Sequence, residues 1–162
     1  MPCRKRAQRD HTLLRSGTTA VEAALVLPVF ITFIIGIIEY GHAQMVANMM
    51  KSACRMAARY GSTEGATTSE AISRVNQMLS SAAPSSAFTV VVKNAAIYDQ
   101  AGATLPATSA DFAAMPNIEL STSGSKQLFL VRASVPYNSI AIMPLKFMSN
   151  VTLTGQAFMR HE

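Results

Sequence analysis

From Ala20 to Ile38, nineteen consecutive residues carry one strongly polar side chain, Glu22. At about 1.5 Å rise per residue they make a helix of roughly 28 Å, close to the ~30 Å hydrocarbon core of a bilayer. The chain has 162 residues, 49% hydrophobic and only 14% charged. Soluble domains average about 25% charged, so the apolar run is expected to lie across a membrane. Its interior proline, Pro28, is tolerated in a membrane helix, where neighbouring helices and local adjustment satisfy the freed backbone groups. Gly36 is a candidate close-packing point.

The formal net charge of +5 belongs almost entirely to the first seventeen residues. There Arg4, Lys5, Arg6, Arg9 and Arg15 face only Asp10, and the rest of the chain is close to neutral. A basic segment directly ahead of an apolar helix follows the positive-inside rule, which puts the N-terminus in the cytoplasm and the residues after about 41 on the far side. The same rule explains the basic cluster without a nucleic-acid partner. Residues 1–17 are expected to be a leader that the mature protein can lose, residues 18–41 the transmembrane helix, and residues 42–162 an external domain. Tyr40 suits the aromatic belt, and Glu39 is expected as an interfacial, water-facing carboxylate. On this topology Cys3 and Cys54 are separated by the membrane, and Cys54 reads as a buried thiol or an intermolecular bridge.

The helix is expected to continue past the membrane. Residues 43–59 contain neither Pro nor Gly, and Val46, Met49, Met50, Ala53, Ala57 and Tyr60 recur at three- and four-residue spacing. One long helix is therefore predicted from about Thr19 to Ala58, with Gly61 as its terminator. A loop follows at 62–69, then a second helix at 69–81 with Ile72, Val75 and Leu79 on its apolar face. After the break at 82–86, alternation predicts a strand at 87–98, a surface connection at 99–116 and a short strand at 118–122. A further strand carries Phe129, Val131, Ala133, Val135 and Tyr137 on one face, with Pro136 marking an edge strand or a strand end. An irregular crossover at 138–149 leads to the last strand at 150–160, where Gly155 suggests a bulge. The fold class is α+β: a long N-terminal transmembrane helix whose second half packs on a small antiparallel sheet.

Gly17, Ala20-Val21-Glu22, Leu25-Val26-Leu27-Pro28, Gly36-Ile37-Ile38-Glu39-Tyr40-Gly41 and Ala57-Ala58-Arg59-Tyr60-Gly61 form an ordered set. That set, with the terminal strand from Leu153 to Arg160, resembles the TadE-like family, pseudopilin-like components of Flp/Tad type IV pilus systems. The resemblance implies a type IV pilin-like architecture with the external domain in the periplasm and the span in the bacterial inner membrane. It implies cleavage after Gly17 by a prepilin peptidase, which makes Thr18 the new N-terminus and Glu22 the fifth residue. The implied role is a minor pilin or pseudopilin-like structural component supporting pilus assembly and surface adhesion. Its partners would be other pilin-like subunits, the inner-membrane assembly platform and the lipid bilayer. Glu22 has a physical case of its own: an ionisable group in a membrane helix costs about 2.5–3.5 kcal/mol at the centre and is retained more easily opposite a cation, such as a neighbour's N-terminal ammonium.

Catalytic readings are weak. His11, His42 and His161 have no metal-ligand spacing. Ser123-Gly124-Ser125-Lys126 fits Ser-x-x-Lys but lacks companion motifs, and Gly61-Ser62-Thr63-Glu64-Gly65 lacks the lysine of a phosphate loop. Neither an enzyme activity nor a cofactor is expected. Two rival readings concern processing. Gly41-His42-Ala43 has the small-x-small form of a signal peptidase site, which would release 44–162 as a secreted binding domain. Alternatively the chain stays uncut, a single-span scaffold of the assembly machine.

Overall fold

In the computed structural model the described residues are 8–104, 106–143, 148 and 150–162, with side chains from residue 17 onward. The calls on Cys3, on the first residues of the leader, on the His11 side chain and on 144–147 and 149 of the crossover lie outside them. The chain divides into two compact units, Met1–Tyr40 and Gly41–Glu162.

Helix α1 spans Gln8–Gly61. It starts well before the predicted Thr19, because nothing between Gln8 and Ser16 breaks a helix and Leu13, Leu14 and Arg15 favour one. In the first unit it passes through Pro28, and the Thr32 hydroxyl donates to the Pro28 carbonyl at 2.8 Å, satisfying a polar side chain inside the apolar run.

The second unit is α+β. Its elements after α1 are α2 (Thr68–Leu79), β1 (Thr89–Asn94), α3 (Ser109–Ala114), β2 (Leu128–Pro136) and β3 (Thr152–Arg160). The sheet order is β1-β2-β3, all antiparallel. Pro136 closes the central strand rather than lying on an edge strand, where its missing N–H takes nothing from the ladder interior.

On one sheet face lie the α1 residues Val46, Met50, Ala53, Cys54 and Ala57 and the α2 residues Ala71, Val75 and Leu79, packed on Phe129, Val131, Ala133 and Val135. The apolar stripe predicted on α1 is thus the core stripe, though Met49 and Tyr60 sit half-buried at its margin. α2 is fixed at its start by a capping box in which the Thr67 hydroxyl accepts from the Glu70 N–H and the Glu70 carboxylate accepts from the Thr67 N–H.

Three expectations are corrected here. The short strand at 118–122 is a single bridge between Lys93 and Asn117 followed by a 3-10 turn at Leu120–Thr122. Thr68 holds both sides of that turn, donating to Ile118 O and accepting from Leu120 N, so the backbone groups a ladder would need are already used. The connection at 99–116 is not all surface: it contains α3, and Phe112 and Met115 join Ala95 and Leu130 in a second apolar cluster on the opposite sheet face. Gly155 is no bulge, since the β2–β3 register runs unbroken through Ala133 and Gly155. A Cβ there would lie 2.6 Å from the Met50 carbonyl carbon, so the glycine admits the α1 backbone against β3. Gly61 is the last residue of α1, as expected, and the tip of the Leu120 side chain lies 2.7 Å from where its Cβ would be.

Candidate assembly surface

The first unit presents its apolar run outward. Val21, Leu25, Val29 and Phe33 are each 65–72% exposed. The most apolar eighteen-residue window of this helix has a mean hydropathy of 2.5, and none of it is buried. Such a face in water would be unstable, since each large apolar side chain left exposed forgoes about 1.5–3 kcal/mol of burial. Lipid or other apolar helices supply the missing environment.

Glu22 lies on this exposed stretch and has no hydrogen-bond or ion-pair partner among the described residues. Gly17 and Thr18 lie inside α1. Gly17, Gly36 and Gly41 share a property: a Cβ added at any of them would meet nothing within 4 Å. A helix-interior glycine costs about 1 kcal/mol relative to alanine, and no contact among the described residues explains these three.

Glu39 departs from the expected wet carboxylate: it is 1% exposed. Tyr40, by contrast, is exposed, as an interfacial aromatic requires.

In the second unit, Cys54 is fully buried and its thiol contacts the Gly155 carbonyl at 3.4 Å, so the buried-thiol alternative is the one observed. Ser123 donates to the Leu120 carbonyl at 2.6 Å, while Lys126 occupies a left-handed turn position with φ 65°, which gives the Ser-x-x-Lys match a local structural explanation. Gly65, with φ 80°, shapes the turn before α2. Among the described residues no group of three or more His, Cys, Asp or Glu could hold a metal. A cavity of about 570 Å³ is lined by Asn94, Ile97, Asp111 and Met115. Its one acid, Asp111, is engaged by the Ala107 and Thr108 N–H groups at the start of α3, which hold its carboxyl below the usual range.

Lys93 lies on the face of β1 opposite Val92. It is 8% exposed, and its ammonium donates to Ala113 O at 3.0 Å, Met115 O at 3.0 Å and Asn117 Oδ1 at 2.8 Å. All three N–H donors are used to close the C-terminal end of α3. The only signal in sequence was the acceptor-rich stretch after α3, which periodicity does not detect.

One helix long and apolar enough to cross a membrane, followed by a small antiparallel α+β unit, fits a single-pass membrane protein. The model of the TadE-like protein family matches residues 17–59, the segment that carries the motif resemblance. That family belongs to Tad pilus systems, a structural rather than enzymatic class. No curated protein and no solved structure matches the chain.

Proposed function

We propose that this protein is a minor pilin or pseudopilin-like component of Flp/Tad pilus assembly, anchored in the inner membrane with its α+β unit in the periplasm. The observation that carries the reading is the uncovered apolar helix of residues 17–38, with one carboxylate, Glu22, and glycines that no contact among the described residues explains. Such a helix suits packing against neighbouring pilin-like helices, where small residues let backbones approach. Glu22 then meets the N-terminal ammonium of a neighbour, the group exposed when the prepilin peptidase cuts between Gly17 and Thr18. Through pilus assembly the protein supports surface adhesion.

A second reading is an uncut single-span scaffold of the assembly machine, which the same exposed apolar helix also suits. The signal peptidase reading gains no such support, since the helix runs unbroken through Gly41-His42-Ala43 and Ala43 is buried.

Terminal sequencing and intact mass of the protein from its native host separate these. Thr18 at the N-terminus supports the pilin-type role. An N-terminus ahead of Gly17 supports the scaffold, and Gln44 would establish a released domain. A deletion strain is expected to lose pili and surface attachment, and normal piliation in it would overturn both membrane readings.

A further inference from the structure

The basic side chains of the second unit are unevenly used. Arg160 pairs with Asp99 at 2.7 Å, Arg74 lies over the Tyr60 ring, and Lys93 is spent on α3. Three others converge on one cavity of about 540 Å³: Lys51 and Arg55, one turn apart on α1, and Arg132 on β2. None of the three has an acidic partner among the described residues, and no carboxylate lines the cavity. The nearest acid in sequence to its lining, Asp111, is held in the capping box of α3.

Arg132 is the most constrained of the three. Its guanidinium lies 4.0 Å from the centre of the Phe112 ring and donates to Gln156 Oε1 at 2.9 Å. It is half-buried, and desolvation by burial lowers its pKa. A guanidinium ordered by an aromatic face and an amide, partly dried and left without an anion, is prepared for one. Two more cations at its mouth repel it and each other until negative charge arrives.

We propose that Lys51, Arg55 and Arg132 form a pocket that binds a carboxylate-bearing segment of a partner protein. The cavity falls in the range of about 300–1,000 Å³ typical of sites for groups larger than a bare ion. Phe112 supplies an apolar wall for a methylene stem, while Thr154 and Gln156 add hydroxyl and amide groups beside the guanidinium fork. Anionic lipid headgroups, which share the charge but not the carboxylate and methylene stem, are an outcome of the test below. That the partner is a subunit of an assembly rests on the reading given above; that it is an acidic segment rests on the pocket alone.

The test uses the full-length protein in nonionic detergent and a fluorescent hexaglutamate peptide, read by anisotropy at low salt. Binding is expected for hexaglutamate and not for hexaglutamine, and it should weaken as salt screens the charges. Replacing Lys51 and Arg55 together with Gln, or Arg132→Gln alone, is expected to weaken binding by about tenfold or more. Lys51 and Arg55 are exposed, so the double variant retains its fold whatever Arg132→Gln does. Arg59→Gln, on the same helix but outside the cavity, should leave binding unchanged. Absence of hexaglutamate binding, or equal weakening by Arg59→Gln, would overturn the proposal. Displacement of the peptide by inorganic phosphate or anionic-lipid micelles as readily as by unlabelled hexaglutamate would reassign the pocket to phosphate and overturn the peptide reading. Piliation of the deletion strain is a separate readout, so failure here and failure of the assembly role are distinguishable.

Discussion

Gly155 of β3 and Met50 of α1 meet backbone to backbone: a Cβ on Gly155 would stand 2.6 Å from the Met50 carbonyl carbon and 2.7 Å from the Lys51 nitrogen. Both obstacles are main-chain atoms of a helix, which cannot rotate aside as a side-chain tip can. Gly155→Ala is therefore expected to force helix and sheet apart and to destabilise the second unit by about 1–3 kcal/mol, the usual cost of overpacking a core. Denaturant unfolding of the full chain checks this, and an unchanged midpoint would show that α1 does not lie against β3 as described.

Lys93→Met tests the closure of α3. The substitution keeps an unbranched stem but leaves the Ala113 and Met115 carbonyls and the Asn117 side chain without their donor. Unsatisfied acceptors in a buried setting cost about 1–3 kcal/mol. Hydrogen exchange is expected to accelerate in residues 109–117 more than in α2. Uniform acceleration, or none, would argue that Lys93 is a packing residue only.

Acid sensitivity should appear at the starts of α2 and α3, where capping carboxylates sit. The Glu70 carboxyl is held below its ordinary range, chiefly because it accepts from the Thr67 backbone, with the Thr67 and Tyr60 hydroxyls adding to this. Glu119 is lowered in the same way by the Thr68 N–H. A folded-state pKa below the unfolded one, which is about 4.3 for glutamate, stabilises the fold at pH values above the unfolded value. That stabilisation is lost as pH falls from there through the lowered folded value. Both groups are solvent-exposed, so the effect is modest and screened by salt. The unfolding midpoint is expected to fall between about pH 5 and pH 3, and Glu70→Gln should flatten that slope. An unaltered slope in the variant would remove the capping box from the account.

Glu22→Ala addresses the assembly surface. The carboxylate has no partner among the described residues, so its removal should leave the second unit's stability unchanged while reducing co-purification of pilin-like partners. Retained co-purification would mean that Glu22 faces headgroup water and contributes nothing to association. Glu22→Asp, which keeps the charge one methylene shorter, is expected to fall between wild type and Ala.

Where sequence reasoning failed, the cause was non-local. Gly155 sits in a run of alternating strand residues, and a bulge is the local explanation for a glycine there. The real one is a helix about one hundred residues earlier in the chain. Lys93 alternates with Val92 and so lies on the other sheet face, where α3 and the Asn117 side chain make it a buried donor, which alternation alone does not show. Phe112 and Met115 are too few and too closely spaced to announce a periodic element, although together with Ala95 and Leu130 they form a cluster on the second face of the sheet. The convergence of Lys51, Arg55 and Arg132 joins α1 to β2, and only the first two are related by a spacing visible in the chain.

The sequence by itself determined the long apolar helix, its single acid, the α1 stripe that becomes core, the second helix and the principal strands. Each is a local consequence of periodicity, length or composition, and these patterns act within a few residues. Only the tertiary structure decided that an apolar cluster forms on each sheet face, that Glu39 is buried, that Gly155 is required by space, and that three cations share one cavity. Those depend on which distant surfaces meet, and close packing makes such contacts specific in ways that no short stretch of sequence encodes.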